Sequence, residues 1–153
     1  MSSYLQLSSL STIMSTTPPP HCLRILVVDD DPICSKILHR AIALSPQHNN
    51  PTFFKIDILL SAEAALDELK KSKYDIIFTD IEMKGMTGDE MACQISDRTI
   101  PIYAITAKVA DDNLLMRCKE AGIQQCLEKP AKPSIIHEII GGRIEEIIEN
   151  GNP

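Results

Sequence analysis

The sequence predicts an α/β fold: a doubly wound, five-stranded parallel sheet with helices on both faces. Strand-like and helix-like segments alternate five times along the 153 residues, an order that favours parallel strands joined by right-handed crossovers. Residues 75–80, DIIFTD, contain successive apolar residues, as in a strand that is buried on both faces. Because this strand ends on Asp80, we expect its carboxylate at the carboxyl edge of the sheet, where ligands bind in open α/β folds.

The composition narrows the class of protein. The net charge of −6 argues against a protein that binds nucleic acid directly or binds anionic membranes. No apolar run approaches the roughly 18 residues that suggest a membrane span. The five cysteines are odd in number and contain no CxxC pair, which disfavours a zinc site or a disulfide framework and favours reduced thiols. We therefore expect a cytoplasmic protein, with the nucleus as the alternative.

Three parts are expected along the chain. Residues 1–21 form a Ser/Thr/Pro-rich leader that is predicted to be disordered. Its first 20 residues include no Lys or Arg, which a secretory signal or a transit peptide would need. Phosphorylation of its hydroxyl groups, or docking of a partner, is the alternative to a solvated leader. Residues 22–150 form one domain, and residues 151–153 form a short tail.

The first strand and helix follow the leader. Residues 23–28, LRILVV, are aliphatic and β-branched, which is typical of a strand. Pro32 suits the first turn of a helix, and Asp31 suits its N-cap. This helix is expected to bury one apolar face. The predicted face consists of Ile33, Ile37, Leu38, Ala41 and Ile42.

The second strand and helix follow a Pro/Asn-rich loop at residues 45–51. The strand, at about residues 54–60, carries Lys55 and Asp57 in alternation with isoleucines. Charged side chains protect the free edge of a sheet, so we place this strand outermost. Ser61 is expected to cap the next helix. The predicted buried face of that helix consists of Ala62, Ala65, Leu66 and Leu69.

Two further units follow the strand that ends at Asp80. A loop at residues 81–88 leads to a short helix, at about residues 89–96. Its predicted buried residues are Met91, Ala92 and Ile95. The fourth strand, at about residues 100–106, ends on Thr106, and the helix after it is expected to begin at an Asp111 or Asp112 cap and to end at Gly122.

Residues 125–128 are predicted to form the fifth strand, and the last helix begins near Pro133. The predicted buried face of this helix consists of Ile135, Ile136, Ile139, Ile140, Ile144, Ile147 and Ile148. The pattern crosses Gly141 and Gly142, each about 1 kcal/mol less favourable in a helix than alanine, so a kink or fraying is expected there. With these elements the predicted sheet is flavodoxin-like, in the order 2-1-3-4-5.

Reactive side chains stand at the ends of four of the predicted strands. Asp29 and Asp30 follow the first strand, Asp80 ends the third, Thr106 ends the fourth and Lys129 follows the fifth. Since the carboxyl ends of parallel strands lie at one edge of the sheet, we expect these side chains to converge. This arrangement is more specific than any one of its motifs.

Three neighbouring carboxylates need a counter-charge, because two unit charges roughly 4 Å apart at an effective dielectric constant of about 20 interact by about 4 kcal/mol. Hard oxygen ligands suit Mg²⁺, with Mn²⁺ as the alternative. A carboxylate can attack phosphorus to form an acyl phosphate, and a metal ion offsets the added negative charge. Asp80 is therefore the candidate nucleophile, and Asp29 and Asp30 are candidate metal ligands. Lys129 can pair with one phosphoryl oxygen and Thr106 can donate to another.

At these motifs the sequence resembles the response-regulator receiver domain of two-component signalling, from about Leu23 to the last helix. The matching segments are ILVVDDDP at residues 25–32, Asp80 with MKGMTG at residues 83–88, ITA at residues 105–107, and AG at residues 121–122 followed by KP at residues 129–130. Their order is that of the family, which makes the resemblance highly specific.

The resemblance implies a function and its participants. Asp80 would accept a phosphoryl group from a phosphohistidine donor, either a histidine kinase or a histidine-containing phosphotransfer protein. Mg²⁺ would be held by Asp30, Asp80 and the backbone carbonyl of Glu82, with Asp29 acting mainly through water. The domain would catalyse its own phosphorylation and dephosphorylation and would change how it binds a downstream partner. The sequence does not indicate which partner that is.

The resemblance also implies a switch in which Thr106 moves to the phosphoryl group, and a cis bond between Lys129 and Pro130. Cis bonds before proline cost little. The family usually has an aromatic switch residue in the fifth strand, where this sequence has Cys126. We therefore expect the signal to pass through residues 107–109, in the loop that follows Thr106.

Two further departures lie in the loops beside the site. Lys84 stands where the family often has proline, so the loop after the third strand is expected to be more mobile. Glu82 and Lys108 each lie two residues after a reactive residue, Asp80 and Thr106 respectively. We expect these two side chains to pair across the entrance and to hinder an attacking water.

Three other functions compete with that of a phosphoacceptor. An unphosphorylated docking module is disfavoured by the intact acidic trio and by Thr106 and Lys129. A phosphatase with an aspartyl phosphate intermediate typically has a second aspartate two residues after the nucleophile, where this chain has Glu82. Flavin binding in the same fold needs a loop that cradles phosphate after the first strand, and three aspartates there would repel it.

Overall fold

The structure, a computed structural model, describes residues 22–46 and 53–150. The predicted leader, the tail and residues 47–51 of the predicted second loop lie outside these ranges. The elements in chain order are β1 (Cys22–Val28), α1 (Pro32–Ala43), β2 (Phe53–Leu59), α2 (Ala62–Leu69), β3 (Ile76–Asp80), α3 (Gly88–Gln94), β4 (Ile102–Thr106), α4 (Asp112–Glu120), β5 (Gln125–Glu128) and α5 (Pro133–Glu149).

The sheet confirms the predicted fold class and strand order. All four strand pairings are parallel, and the order across the sheet is β2-β1-β3-β4-β5. The charged strand β2 is indeed at one edge. The strand β3 lies in the centre between β1 and β4, and all five of its residues are buried. The order therefore brings the ends of β1 and β3 together in the middle of the molecule.

The core lies in two clusters, one on each face of the sheet. Ile77 of β3 belongs to the cluster covered by α2, α3 and α4, whereas Ile76 and Phe78 belong to the cluster covered by α1 and α5. Successive side chains of a strand point to opposite faces. An uninterrupted apolar strand is therefore the sequence that two helical layers require.

Helix boundaries follow the predicted caps. The side chains of Asp31, Ser61 and Asp111 accept hydrogen bonds from backbone N–H groups in the first turns of α1, α2 and α4. After α4 the chain turns at Gly122, where φ is +89°, a backbone conformation that glycine adopts without steric cost. These local signals lie within a few residues of the chain, so the sequence alone can show them.

The predicted buried face of α1 was partly wrong. Ile33 and Ile37 are 70% and 54% exposed. The buried residues of this helix are Ser35, Leu38, Ala41 and Ile42. The apolar residues from Ile33 to Ile42 cover about half of the circumference of α1 at about 100° per residue, and the sheet covers only part of that arc. The packing therefore selects the arc that includes Ser35 and leaves two isoleucines in solvent.

The prediction for α5 needs two corrections of the same kind. Ile148 is 69% exposed, because it lies about 100° around the helix from its buried neighbour Ile147. The helix is also continuous across Gly141 and Gly142, without the expected fraying. Ile140 is fully buried before this pair. After the pair, Arg143 donates from Nε to the carbonyl oxygen of Asp75 at 3.1 Å. Both contacts hold the helix to the sheet.

Candidate functional site

Three carboxylates converge at the carboxyl edge of the sheet. Asp29, Asp30 and Asp80 each offer an oxygen, and these oxygens lie within 4.8 Å of one another. Asp29 and Asp80 are 5% and 6% exposed, whereas Asp30 is half-buried. The convergence follows from the register of the central strands, because Val28 of β1 is paired with Thr79 of β3, one residue before each aspartate.

The backbone of two loops orients these acids. The N–H of Asp31 donates to Oδ1 of Asp29 at 2.9 Å. The N–H of Lys84 donates to Oδ2 of Asp30 at 2.9 Å and ties the loop after β3 to the end of β1. Hydrogen bonds of this type stabilise the charged form of a carboxylate. The loops therefore hold the acids in place and keep oxygen atoms directed towards one point.

Lys129 bridges two of the three acids. Its Nζ lies 2.9 Å from Oδ2 of Asp80 and 3.0 Å from Oδ2 of Asp29. The lysine follows β5 at the far side of the sheet, and its bond to Pro130 is cis, as predicted. One ammonium group therefore lies between the ends of β1 and β3, although it is 100 residues away from Asp29 in the chain.

The single positive charge of Lys129 does not offset all of the negative charge of the three neighbouring carboxylates. Burial, with a further contribution from the negative charge of Asp29, raises the pKa of Asp80, even though Lys129 acts in the opposite direction. Burial alone would lower the pKa of Lys129, but its hydrogen bonds to Asp80 and Asp29 outweigh that effect and raise it. The raised pKa of Asp80 favours the neutral form of the carboxyl group, whereas the raised pKa of Lys129 favours its charged form. The raised pKa of Asp80 has the stronger physical cause, because this carboxylate is buried beside a second acid whereas Lys129 is partly exposed.

Thr106 ends β4 beside the acids. It is fully buried, and it lies one residue after Ile105, which is paired with Asp80 in the sheet. Its Oγ1 accepts a hydrogen bond from the N–H of Lys108 at 3.1 Å. The hydroxyl group is therefore joined to the loop between β4 and α4, so a rotation of this side chain would break a contact in that loop.

The predicted pair across the entrance is present. Lys108 and Glu82 form an ion pair between the two loops, and both side chains are largely exposed. The hydrogen bond to Glu82 raises the pKa of Lys108. The backbone N–H of Glu82 also donates to Oδ1 of Asp80 at 3.2 Å. The loop after β3 thus contacts Asp80 and the opposite loop at the same residue.

Sequence reasoning missed the role of Gly88. A Cβ atom at this position would lie 2.1 Å from the carbonyl oxygen of Asp80 and 3.0 Å from Oγ1 of Thr79. The start of α3 therefore packs directly against the backbone of the central strand. The available signal was a glycine eight residues after Asp80. The sequence did not show that this glycine packs against the backbone of Asp80.

The sequence pattern of the response regulator receiver domain matches residues 25–141.

This chain belongs to the response regulator receiver domain family.

Receiver sequences with curated descriptions are similar over most of the chain. "Stress response regulator protein 1" of Candida tropicalis is 33% identical over 146 residues, which cover 93% of this chain and 52% of that protein. "Hybrid signal transduction histidine kinase C" of Dictyostelium discoideum is 29% identical over 154 residues, which cover 94% of this chain and 12% of that kinase. The chain thus spans about half, or much less, of the length of these relatives.

Solved receiver structures show the same fold. A putative response regulator from Chloroflexus aurantiacus superposes with a TM-score of 0.68 at 24% identity, covering 82% of this chain and 98% of that one. A CheY-like receiver domain protein from Methanospirillum hungatei gives a TM-score of 0.68 at 20% identity, covering 84% of this chain and 98% of that one. Among the residues that the structure describes, no helix combines the length and apolarity needed to cross a bilayer.

Cys126 departs from the usual receiver pattern in its surroundings as well as in its identity. Cys126 is half-buried, and burial, with a further contribution from Cys126, raises the pKa of the Cys118 thiol in α4 to about 12. Tyr103 of the neighbouring strand packs against Phe78, with ring centroids 5.7 Å apart, in the cluster on the other face of the sheet. A thiol pair therefore occupies the place between α4 and β5, and Tyr103 does not substitute for the missing ring.

Proposed function

We propose that this receiver domain accepts a phosphoryl group on Asp80 from a phosphohistidine donor, in a reaction that requires Mg²⁺, and that phosphorylation changes its binding to a partner. The observation that carries the proposal is the position of Lys129, whose Nζ contacts Asp80 and Asp29 in an otherwise acidic pocket. A buried aspartate held between a cation and two further acids has the groups that phosphoryl transfer to a carboxylate requires.

The donor set fits Mg²⁺, with Mn²⁺ as the alternative. Asp29, Asp30 and Asp80 present carboxylate oxygens within one small volume, and oxygen-only ligands suit both ions. We assign them, together with the backbone carbonyl of Glu82, as the residues that would hold the metal. When bound, the ion would offset the charge of the acids and of the incoming phosphoryl group.

The chemistry assigned to this chain's residues is a single displacement. An oxygen of Asp80 attacks phosphorus, a P–O bond forms, and the P–N bond to the donor histidine breaks, so that the imidazole leaves with the bonding electron pair. Lys129, already 2.9 Å from Asp80, pairs with a phosphoryl oxygen as negative charge accumulates. The receiver is thus proposed to catalyse its own phosphorylation and its own dephosphorylation. In the second reaction water attacks phosphorus, the P–O bond to Asp80 breaks, the carboxylate is regenerated and inorganic phosphate leaves.

Thr106 is proposed to couple the phosphorylation of Asp80 to a change in the loop that follows β4. Its hydroxyl group can donate to a phosphoryl oxygen on Asp80 only by turning towards the end of β3. That rotation gives up the hydrogen bond which Oγ1 now accepts from the N–H of Lys108. We infer that residues 107–109 move when Asp80 is phosphorylated, and that a downstream partner reads this loop and α4.

The donor is proposed to be a histidine kinase or a histidine-containing phosphotransfer protein. Two isoleucines of α1, Ile33 and Ile37, are exposed to solvent. A mainly apolar cavity of about 240 Å³ is bordered by Ile37, Asp29 and Lys129. An apolar surface continuous with the reactive groups suits a protein donor that must bring its imidazole close to Asp80. The proposed location is the cytoplasm, with the nucleus as the alternative.

The test is incubation of the chain with a small-molecule phosphodonor and Mg²⁺, followed by intact mass measurement. The wild type should gain the mass of one phosphoryl group, and the gain should disappear in Asp80→Asn or when the metal is chelated. Asp67→Asn, at an exposed surface position, is the matched control and should be phosphorylated like the wild type. Absence of any gain in the wild type would overturn the proposal in favour of an unphosphorylated docking module.

A further inference from the structure

A buried carboxylate between α3 and α4 is only partly satisfied. Asp89 is 7% exposed, and its Oδ2 accepts a hydrogen bond from Nε of Arg117 at 3.1 Å. Its Oδ1 is buried, and no donor within the described part of the chain is bonded to it. The side chain of Arg117 is 57% exposed. The pair is therefore asymmetric, because the arginine can move into water whereas the aspartate cannot.

The aspartate belongs to the rigid frame of the phosphoacceptor. The N–H of the adjacent Gly88 donates to the carbonyl oxygen of Ile81 at 3.0 Å. The Cα of Gly88 packs so closely on the backbone of Asp80 that no side chain fits between them. The arginine belongs to α4, which follows the loop that Thr106 holds. The Asp89–Arg117 contact thus joins the helix that packs on the backbone of Asp80 to the helix that follows the loop proposed to move.

We propose that the Asp89–Arg117 ion pair is a latch that holds α4 against α3 until Asp80 is phosphorylated. Displacement of α4 would remove the arginine and leave a buried, charged carboxylate without a partner, which is strongly unfavourable. The latch therefore favours the position of α4 seen in this structure. Release of α4 is therefore a transition between two states, one with the Asp89–Arg117 ion pair and one without it.

The release of the latch rests on the proposed function. Arg117 also borders the groove that opens at the mouth of the site, together with Asp30, Glu82 and Lys108. A phosphoryl group on Asp80 adds negative charge at the end of this groove. It also draws Thr106 away from the loop that leads into α4. Both changes weaken the hold of Asp89 on the arginine, so phosphorylation shifts α4 towards the released position.

Hydrogen exchange of the unphosphorylated chain tests the latch without any phosphorylation. Asp89→Asn removes the charge that holds Arg117, so the amides of α4 should exchange about tenfold faster or more, a factor that corresponds to about 1.4 kcal/mol. The control is Lys70→Gln, which breaks a surface ion pair with Asp67 whose side chains are 74% and 66% exposed, and which should leave α4 unchanged. Unchanged exchange of α4 in Asp89→Asn would overturn the latch.

A double variant separates a latch from a merely structural pair. Arg117→Gln should lower global stability, because the buried carboxylate loses its partner, and should also speed exchange in α4. Adding Asp89→Asn to Arg117→Gln should restore global stability while exchange in α4 stays fast. If the double variant restores slow exchange as well, the pair does not hold α4 and the proposal fails.

The coupling to phosphorylation has its own readout. Beryllofluoride with Mg²⁺, which mimics an acyl phosphate, should speed exchange in α4 of the wild type and should add little in Asp89→Asn, where the latch is already open. An equal increase in both proteins would overturn the coupling. Failure of Asp80 to gain a phosphoryl group from a phosphodonor would reject the proposed function, whereas the exchange of the unphosphorylated variants would still decide the latch.

Discussion

Lys129 reaches two carboxylates at once, with its Nζ 2.9 Å from Asp80 and 3.0 Å from Asp29. The third acid, Asp30, is bound instead by the backbone N–H of Lys84. The ammonium group of Lys129 therefore faces the two carboxylates that it contacts, or three when Asp30 is included. Burial already opposes the ionisation of Asp80 in this pocket. At the residue scale, this unbalanced charge supports the proposed divalent-cation site and makes the stability of the protein sensitive to changes at Asp80.

The first prediction concerns Asp80 and pH in metal-free buffer. The pKa of Asp80 is raised in the folded state, so its contribution to stability is present below the unfolded pKa and is lost as the pH rises through the folded pKa. Asp80→Asn should therefore be more stable than the wild type at neutral pH, because it removes a buried negative charge that faces a second acid. The difference should vanish on acidification below the pKa of an aspartate in an unfolded chain, about 3.9. Chemical denaturation at several pH values measures it.

A matched variant gives the opposite sign. The hydrogen bond and charge of Lys70 lower the pKa of Asp67 on the surface of α2, so Asp67→Asn should lose a small stabilisation at neutral pH. An Asp80→Asn protein that is no more stable than the wild type at neutral pH would contradict the charge imbalance that we assign to the site.

The second prediction concerns the close packing of Gly88 on the central strand. A Cβ in Gly88→Ala would meet the carbonyl oxygen of Asp80 at 2.1 Å, and neither backbone can yield without moving Asp80. We expect a loss of about 2 kcal/mol or more in the free energy of unfolding. The control is Gly142→Ala in α5, where a Cβ meets nothing within 4 Å and helix propensity predicts a gain of up to about 1 kcal/mol. Equal effects in urea denaturation would refute the packing argument.

At the scale of elements, the loops after β3 and β4 form one unit. The loop after β3 contacts Asp80 through the N–H of Glu82, and the side chain of Glu82 pairs with Lys108 in the loop after β4. Arg98 joins the far ends of the adjoining helices, donating to the carbonyl oxygens of Cys93 and Ala121. Motion that begins at Thr106 is therefore directed to the β4–α4 loop and the start of α4, since the other end of α4 is fastened.

The third prediction concerns the ion pair across the entrance. If Glu82 and Lys108 hinder an attacking water, Glu82→Ala or Lys108→Ala should shorten the lifetime of the acyl phosphate several-fold. Because both side chains are largely exposed, solvent screening should keep the cost in stability small. Loss of phosphate from labelled protein, followed over time, measures the lifetime, with Lys70→Ala as the surface control. Identical lifetimes in all variants would exclude a role for the pair.

At the scale of the whole molecule, each of the two core clusters fixes a different set of elements around the site. The cluster covered by α1 and α5 fixes β1 and the chain after β5, and so positions Asp29 and Lys129. The cluster covered by α2, α3 and α4 contains Leu114 and Cys118 of α4. The central strand β3 contributes to both clusters and ends at Asp80. A change at Asp80 therefore occurs at the end of the strand on which both helical layers pack.

The fourth prediction follows from the linkage between metal binding and folding. Mg²⁺ that binds the folded chain alone should stabilise it, by about 2.7 kcal/mol at a concentration about one hundred times the dissociation constant. The melting temperature of the wild type should rise with Mg²⁺ concentration, whereas Asp30→Asn should need much more Mg²⁺ for the same rise. A melting temperature that does not respond to Mg²⁺ in the wild type would argue against the assigned ligands.

Much of the fold could be predicted because its signals are local. The apolar run before Asp80, the caps at Asp31 and Ser61 and the charges of β2 each depend on a few neighbouring residues. The exposure of Ile33, Ile37 and Ile148 could not be predicted. Periodicity places an isoleucine at an angle on its helix, but the angle that is covered depends on how far the sheet extends beneath it.

The contacts at the rim of the site show the same limit. Glu82 and Lys108 could be paired from sequence because each follows a reactive residue by two positions. Asp89 and Arg117 belong to separate helices, 28 residues apart, and neither stands at the end of a strand. Only their packed positions reveal that one of them is buried and that it depends on the other.

The sequence by itself determined that the strands are parallel and which residues end them, and this was sufficient to bring Asp29, Asp30, Asp80, Thr106 and Lys129 to one edge. The physical reason is that side chains alternate along strands and that all parallel strands end on the same side. Only the tertiary structure decided which carboxylates the lysine bridges, how α3 packs beneath Asp80 and what holds α4. Those depend on distances between elements that are set by the packing of whole faces rather than by any local pattern.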